Sequence, residues 1–342
     1  MNLRELSARL NLSQTTVSRA LNGYPEVNAE TRRRVREAAE KYNYVPNMRA
    51  RTLATGRSMS IGHVIPLSRQ DEIVNIVFAD FLAGAGAVYG QNGYQLALSI
   101  VQDDDELSAY KRITERGAVD GVIVQSPTKD DARITYLSGL GMPFVVHGRS
   151  TDAKVPYAWL DVNNGRAIET ATEHLIDLGH RRLALLNGIP EMDFAIRRKS
   201  GFLSALQKAG ITPNPDMIYS GAMSEPLGHA AAMEFLSGDN APTGIVTSSI
   251  VLALGVKRAA DQLGLQLGKD LSVVCFDDDI SYLPNPGPVP LFTAVKSSVR
   301  AAGARCAELM LERIAEPNAP LASELWEAEL IIGSSSGPAP LT

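Results

Sequence analysis

From residue 60 onward the chain repeats one texture: a short apolar run bounded by turn residues, a longer stretch with helical spacing, then another apolar run. Ser60-Ile61-Gly62-His63-Val64-Ile65-Pro66 predicts a buried strand, residues 74 to 92 a helix ending at Gly93, and Tyr94 to Ile100 the next strand. The alternation continues through helices around 105 to 116 and 130 to 140 and strands at 121 to 124 and 144 to 147. After a helix near 164 to 178, Arg182 to Leu186 opens a second cycle. This runs through helices at 196 to 209, 227 to 237 and 251 to 263 and strands near 217 to 220, 244 to 247 and 271 to 276, and closes with a helix at 298 to 315. Such alternation builds parallel sheets covered by helices. Two similar lobes leave a cleft between them, and open parallel sheets take their ligands at the carboxyl ends of the strands.

The first 60 residues differ in kind. They hold eleven Arg or Lys against five Glu, a net of +6, whereas the whole chain carries −5, so the remainder carries −11. A basic head on an acidic body is what phosphate attraction at one end requires. Leu3, Leu6 and Leu10 give one amphipathic helix, and Ser13 caps a second after the short connection Asn11-Leu12. Val17 and Leu21 face inward there, leaving Gln14, Thr15, Ser18 and Arg19 to project. Two helices joined this tightly form a helix-turn-helix, whose second helix offers its first residues to base edges in the major groove. A third helix, capped by Asn28 and closing near Tyr42-Asn43-Tyr44, carries Arg32, Arg33, Arg34 and Arg36 outside and Val35, Ala38 and Ala39 inside.

Several function classes fall away. No run approaches the ~18 apolar residues of a membrane span, and the N-terminus has no signal-peptide core. Cys275 and Cys306 belong to no ligand-spaced cluster and read as buried free thiols of a reducing cytoplasm. The five histidines are scattered, so the spacing implies no metal site, no cofactor and no catalytic constellation.

Thr16-Val17-Ser18-Arg19-Ala20-Leu21-Asn22, then Tyr44-Val45-Pro46-Asn47, Ala50 and Leu53, then a two-lobed α/β core, resemble the lactose-repressor (LacI/GalR) family of bacterial transcription factors. In the core, His174-Leu175, Leu178-Gly179-His180-Arg181-Arg182, Arg198-Lys199-Ser200-Gly201-Phe202 and Ser272-Val273-Val274-Cys275-Phe276-Asp277-Asp278 are similar to that family's signatures. The resemblance implies a helix-turn-helix domain (1–45), a hinge helix or linker (46–59) and a periplasmic-binding-protein-like core (60–342). The first lobe is expected at about 60–160 and the second at about 161–290, with crossovers near 160 and 290 and residues 291–342 returning. It also implies a homodimer on a palindromic operator, with a small molecule in the core changing operator affinity.

Carried onto this sequence, the resemblance makes Gln14 and Thr15 base readers, Arg19 a contact to base or phosphate, and Thr16 and Ser18 phosphate holders, with Ser13 and Asn22 at the two ends of the recognition helix. Asn47 opens the hinge segment, where Leu53 is the wedge at the central minor-groove step and Ala50 the small residue permitting close approach. For the effector, Arg198 and Asp277 match positions that hold sugar hydroxyls. The chain departs from the family at Thr247-Ser248-Ser249-Ile250, in place of the usual Asn-Asp pair, and at Gly148, in place of a frequent aspartate. That shifts hydrogen-bonding work to Ser249, His147, Arg149 or Asn187, with the loop Ser68-Arg69-Gln70-Asp71-Glu72 as a further source. Trp159 reads as core or interface rather than a sugar-stacking platform. The expected effector is a sugar, with a neutral disaccharide such as an α-glucoside favoured by the reduced carboxylate content. A purine effector, or a core serving only dimerisation, is the alternative.

Overall fold

The computed structural model describes residues 1–21, 24–44, 56–66, 76–101, 106–238 and 240–340. The chain divides into two compact units, Met1–Ser58 and Met59–Thr342. Asn22, Asn47, Ala50, Leu53 and the loop Ser68 to Glu72 lie outside the described residues.

The first unit is three helices around a small core. Helix α1 (Leu3–Leu10) is closed at its start by a capping box, in which Asn2 accepts from the Glu5 N–H and Glu5 accepts from the Asn2 N–H. Asn11 ends it in the left-handed conformation, φ 53°, which turns the chain into α2 (Gln14–Leu21) within three residues. At α2 the Ser13 hydroxyl accepts from the Thr16 N–H at 3.0 Å. Helix α3 (Ala29–Lys41) starts at Asn28, whose side chain accepts from the Thr31 N–H at 2.8 Å. Leu6, Val17, Ala20, Val27, Val35 and Ala39 form the interior.

The second unit holds two six-stranded sheets. The first lobe joins β1 (Ser60–Pro66), β2 (Gln95–Val101), β3 (Gly121–Gln125), β4 (Phe144–His147), β5 (Ala158–Val162) and β11 (Ser323–Trp326), in the order β11-β5-β4-β3-β1-β2, all parallel. The second joins β6 (Leu183–Asn187), β7 (Ile218–Ser220), β8 (Gly244–Thr247), β9 (Ser272–Asp277), β10 (Thr293–Lys296) and β12 (Glu329–Ile331), in the order β12-β10-β9-β8-β6-β7, with only β12 antiparallel. Helices α4 (Ile76–Gln91), α5 (Glu106–Glu115) and α6 (Ala132–Gly139) belong to the first lobe. Helices α7 (Asn164–Asp177), α8 (Asp193–Lys208), α9 (Glu225–Leu236) and α10 (Ile250–Gln262) belong to the second.

One expectation is corrected. Helix α11 (Val299–Ala315) closes the first lobe, where Val299, Ala302, Cys306, Ala307 and Met310 pack with Phe81, Ala85 and Tyr89 of α4. The chain therefore crosses between lobes near 163, 298 and 328, and β10 and β12 return to the second sheet. Residues 291–342 were expected to return after a crossover near 290 as one segment; α11 does return to the first lobe, where its small face at Ala302-Gly303 fits α4, but the third crossover near 328 carries β12 back to the second sheet. A Cβ on Gly303 would lie 2.1 Å from the Phe81 carbonyl oxygen, and one on Gly84 would lie 2.0 Å from that of Arg300. Backbones this close require glycine. The same device joins α7 to α8, where a Cβ on Gly201 would meet the Gly165 carbonyl oxygen at 2.1 Å.

Candidate functional site

Between the lobes of the second unit lies an open-mouthed cleft with an enclosed volume of about 150 Å³. Its walls come from the carboxyl ends of the strands: Gln125 of β3, His147 of β4, Asp161 and Val162 of β5, and Phe276 and Asp278 at the end of β9. Such ends converge where the strand order reverses on either side of β1 and β6. Helix α4 adds Val77, Phe78 and Phe81, and α11 adds Val299 and Ala302, so the close α4–α11 crossing builds an apolar wall. Helix α8 adds Phe194, Arg197 and Arg198.

Arg198 is the best-defined polar group of the cleft. Its Nε donates to Asn164 Oδ1 at 2.8 Å and its Nη1 to the Ser248 carbonyl at 2.5 Å. Its guanidinium carbon lies 3.8 Å from the Phe276 ring centroid and 4.9 Å from that of Phe194. Burial lowers its pKa to about 10, opposed by Asp278 and Asp161. The cation therefore stays charged, with its geometry fixed by two donated bonds and two rings. Across the floor, burial raises the Asp278 carboxyl above the usual range, and Arg198 works against that rise. His147 lies against Phe81 with ring centroids 4.6 Å apart and planes tilted by 33°, and burial shifts its pKa down, so the ring presents a neutral donor and acceptor.

The expected effector residues divide. Arg198 and His147 line the cleft. Asp277 does not: Phe276 faces Arg198, so the residue two positions on, Asp278, shares that side, and Asp277 turns to the other. Its Oδ1 accepts from the Asp279 N–H at 2.8 Å. Asn187 is committed to structure, donating to the Ala195 carbonyl at 2.8 Å and accepting from the Ser248 hydroxyl at 2.7 Å. Ser249 caps α10 by accepting from the Val251 N–H. Arg149 lies off the cleft wall, bonded to Asp161 Oδ2 at 2.9 Å and set over the Trp159 ring, which packs on the first-lobe core as expected. The reading of residue types missed the aromatic walls Phe78, Phe81, Phe194 and Phe276, because apolar residues in such elements carry no signal of what they face. The period-2 register of β9 could have separated Asp278 from Asp277.

On the first unit, Gln14, Thr15 and Arg19 are exposed on α2, opposite buried Val17 and Ala20. The Thr16 hydroxyl lies 2.8 Å from that of Ser13, which places both in the helix cap. Ser18 is half-buried on the same helix. On α3, Arg33 is paired with Glu30 and Glu37, while Arg34 and Arg36 are exposed. No group of three or more metal-ligating side chains occurs among the described residues. None of their helices is long and apolar enough to cross a membrane.

An exposed recognition helix on a capped helix-turn-helix, joined in sequence to a two-lobed core with a polar and aromatic cleft, defines a ligand-responsive DNA-binding regulator. The sequence comparisons agree: the chain belongs to the lacI family of bacterial regulatory proteins, whose DNA-binding domain matches residues 3–47, while a periplasmic binding protein-like domain matches residues 172–336. It is 42% identical over 341 residues to the HTH-type transcriptional regulator AglR of Rhizobium meliloti (strain 1021), spanning 99% of this chain and 95% of that one. The structure of a transcriptional regulator CelR-cellobiose complex superposes with a TM-score of 0.71 at 26% identity, covering 98% of this chain and 99% of the other. The lac repressor bound to ONPG in the repressed state superposes with a TM-score of 0.80 at 25% identity over 98% and 99%. The chain is a transcriptional regulator of operator-binding type and not an enzyme.

Proposed function

We propose that this regulator represses a carbohydrate uptake or catabolism operon in the cytoplasm, and that a neutral disaccharide such as an α-glucoside, bound between the lobes, releases it from its operator. The observation that carries this reading is Arg198, a buried cation held between Phe194 and Phe276 on a cleft wall that also carries Asp278, Gln125 and His147. A fixed fork of donors facing a carboxylate, with aromatic rings alongside, suits a ring that presents hydroxyl edges and apolar faces. The cellobiose complex of CelR supports the same ligand class. Gln14 and Thr15 read bases, Arg19 reaches base or phosphate, and a homodimer reads a palindrome. Exposed Tyr282, Val289 and Leu291 in the second lobe, and Leu98 and Ile100 on edge strand β2, supply apolar surface for the dimer.

A thermal-shift panel of neutral disaccharides, phosphorylated sugars and nucleobases tests the ligand class, since a ligand at 100 times its Kd stabilises the core by about 2.7 kcal/mol. A neutral disaccharide is expected to raise the melting temperature and weaken operator binding. A nucleobase alone doing so, or no compound of the panel, overturns the proposal.

A further inference from the structure

We propose that Asp193 and Thr151 form a clasp across the cleft that sets the lobe angle to which operator binding is tied, which makes Asp193 a positioning residue for the ligand site. Asp193 opens α8 in the second lobe, and its carboxylate is fully buried. Both of its oxygens are used by one residue of the first lobe: Oδ1 accepts from the Thr151 hydroxyl at 2.9 Å and Oδ2 accepts from the Thr151 N–H. Thr151 follows β4, so the contact is made through space and at none of the three crossovers.

The surrounding backbone reinforces the join. The Asp193 N–H donates to the Pro127 carbonyl at 3.0 Å, and Thr128 and Met192 form an antiparallel bridge. One helical turn on, Arg197 Nη2 donates to the Arg149 carbonyl at 2.7 Å and lies 3.6 Å from Asp161, again reaching the first lobe. Arg198, the next residue, is instead fixed within its own lobe by Asn164 and Ser248. A single stiff helix thus carries the two cross-lobe side chains and the ligand arginine.

The clasp is built to break. A buried carboxyl group that accepts hydrogen bonds from Thr151 keeps its place only while those donors remain. When the lobes part, Asp193 and Thr151 both reach water, so the net contribution of the bonds is small although each is strong in place. Closure and opening are then two discrete arrangements, and a ligand shifts between them only by its differential affinity.

The inference rests on the proposed release of the operator by a ligand bound between the lobes and takes the angle between the lobes as what that ligand changes; its test uses no sugar. In the full chain, Thr151→Cys with Asp193→Cys is oxidised, the cross-link is verified by mass spectrometry, and operator affinity is titrated before and after reduction. Cys275 and Cys306 stay out of the reaction, because burial raises both thiols well above their ordinary pKa. At least tenfold weaker operator binding in the cross-linked form, restored by reductant, is expected. The single variant Asp193→Cys, treated identically, should show no oxidant-dependent change. Failure of the cross-link to form, or unchanged affinity once it has formed, overturns the clasp. Tighter binding in the cross-linked form supports the clasp and overturns the ligand-release reading instead.

Discussion

The guanidinium carbon of Arg198 sits 3.8 Å from the centroid of the Phe276 ring, while Phe276 itself is the penultimate residue of the core strand β9. The pairing ties this arginine to the sheet interior: Phe276 packs with Val274, Leu185 and Phe202, so the cation is located by the hydrophobic core rather than by a loop. Desolvating a guanidinium this deeply is tolerated because two carbonyl-type acceptors and two rings replace water.

Arg198→Lys should therefore be far from conservative. The ammonium keeps the charge but loses the planar stack and the fixed fork, and each charge-assisted bond forfeited is worth about 1.5–3 kcal/mol. Ligand affinity by calorimetry is expected to fall at least ~10-fold, while operator binding in the absence of ligand stays at the parent level. A variant that still answers the ligand as the parent does would make Arg198 structural.

Gly201→Ala should destabilise the core. The added Cβ would lie 2.1 Å from the Gly165 carbonyl oxygen, so α7 and α8 must separate, with an expected loss of ~2–3 kcal/mol from overpacking. Gly90, in α4, is the control, because a Cβ added there would meet nothing within 4 Å. Gly90→Ala should be neutral or stabilising by about 0.5 kcal/mol. In thermal melts the Gly201→Ala midpoint should fall while that of Gly90→Ala stays at or above the parent value.

The alternation of short apolar runs and helical spacings made the lobed architecture legible, because strand and helix periods are local properties. The packing that seats α11 was not, since it depends on Ala302-Gly303 finding the surface of α4 some 220 residues away. The site was half legible. Arg198, flanked by Arg197 and Lys199 in a polar helix, was reached only through the family resemblance, and His147 as the polar end of the apolar run Phe144-Val145-Val146, whereas Asn187 and Ser249 look similar in sequence but are consumed by the Ser248 hydroxyl and the α10 cap. Phe81 and Phe276 gave no sign, being core and cleft wall at once.

His63 gives a pH dependence with a definite sign. The ring is 1% exposed, its Nδ1 has no hydrogen-bond partner, and burial lowers its pKa from 6.5 to about 4. Between these values the unfolded chain binds a proton that the folded one does not, so this group's contribution is complete above pH 6.5 and is lost as pH falls toward 4. Other groups add slopes of their own, so the informative quantity is a difference. His63→Leu should flatten the stability-against-pH curve in that window by up to ~1.4 kcal/mol per pH unit. Denaturant melts of parent and variant at about pH 7, 6 and 5 check it; parallel curves would mean His63 titrates normally.

On the recognition helix, Ser13, Thr16 and Arg19 should separate by the kind of binding they support. Ser13 accepts from the Thr16 N–H at 3.0 Å and its hydroxyl lies 2.8 Å from that of Thr16, so Ser13→Ala removes a cap at a cost of about 1 kcal/mol in domain stability. That loss should weaken operator and random DNA alike, because it loosens the whole helix. Thr16→Ala is expected to behave similarly, as a phosphate or cap contact carries no sequence information. Arg19, exposed in the last turn of α2, is different. Arg19→Ala should reduce affinity for the operator by about 1–3 kcal/mol if it reads a base, with little change on random sequence, so the specificity ratio narrows. Competition titrations at fixed salt resolve the two patterns, and an Arg19→Ala loss shared equally by both DNAs would assign that arginine to phosphate.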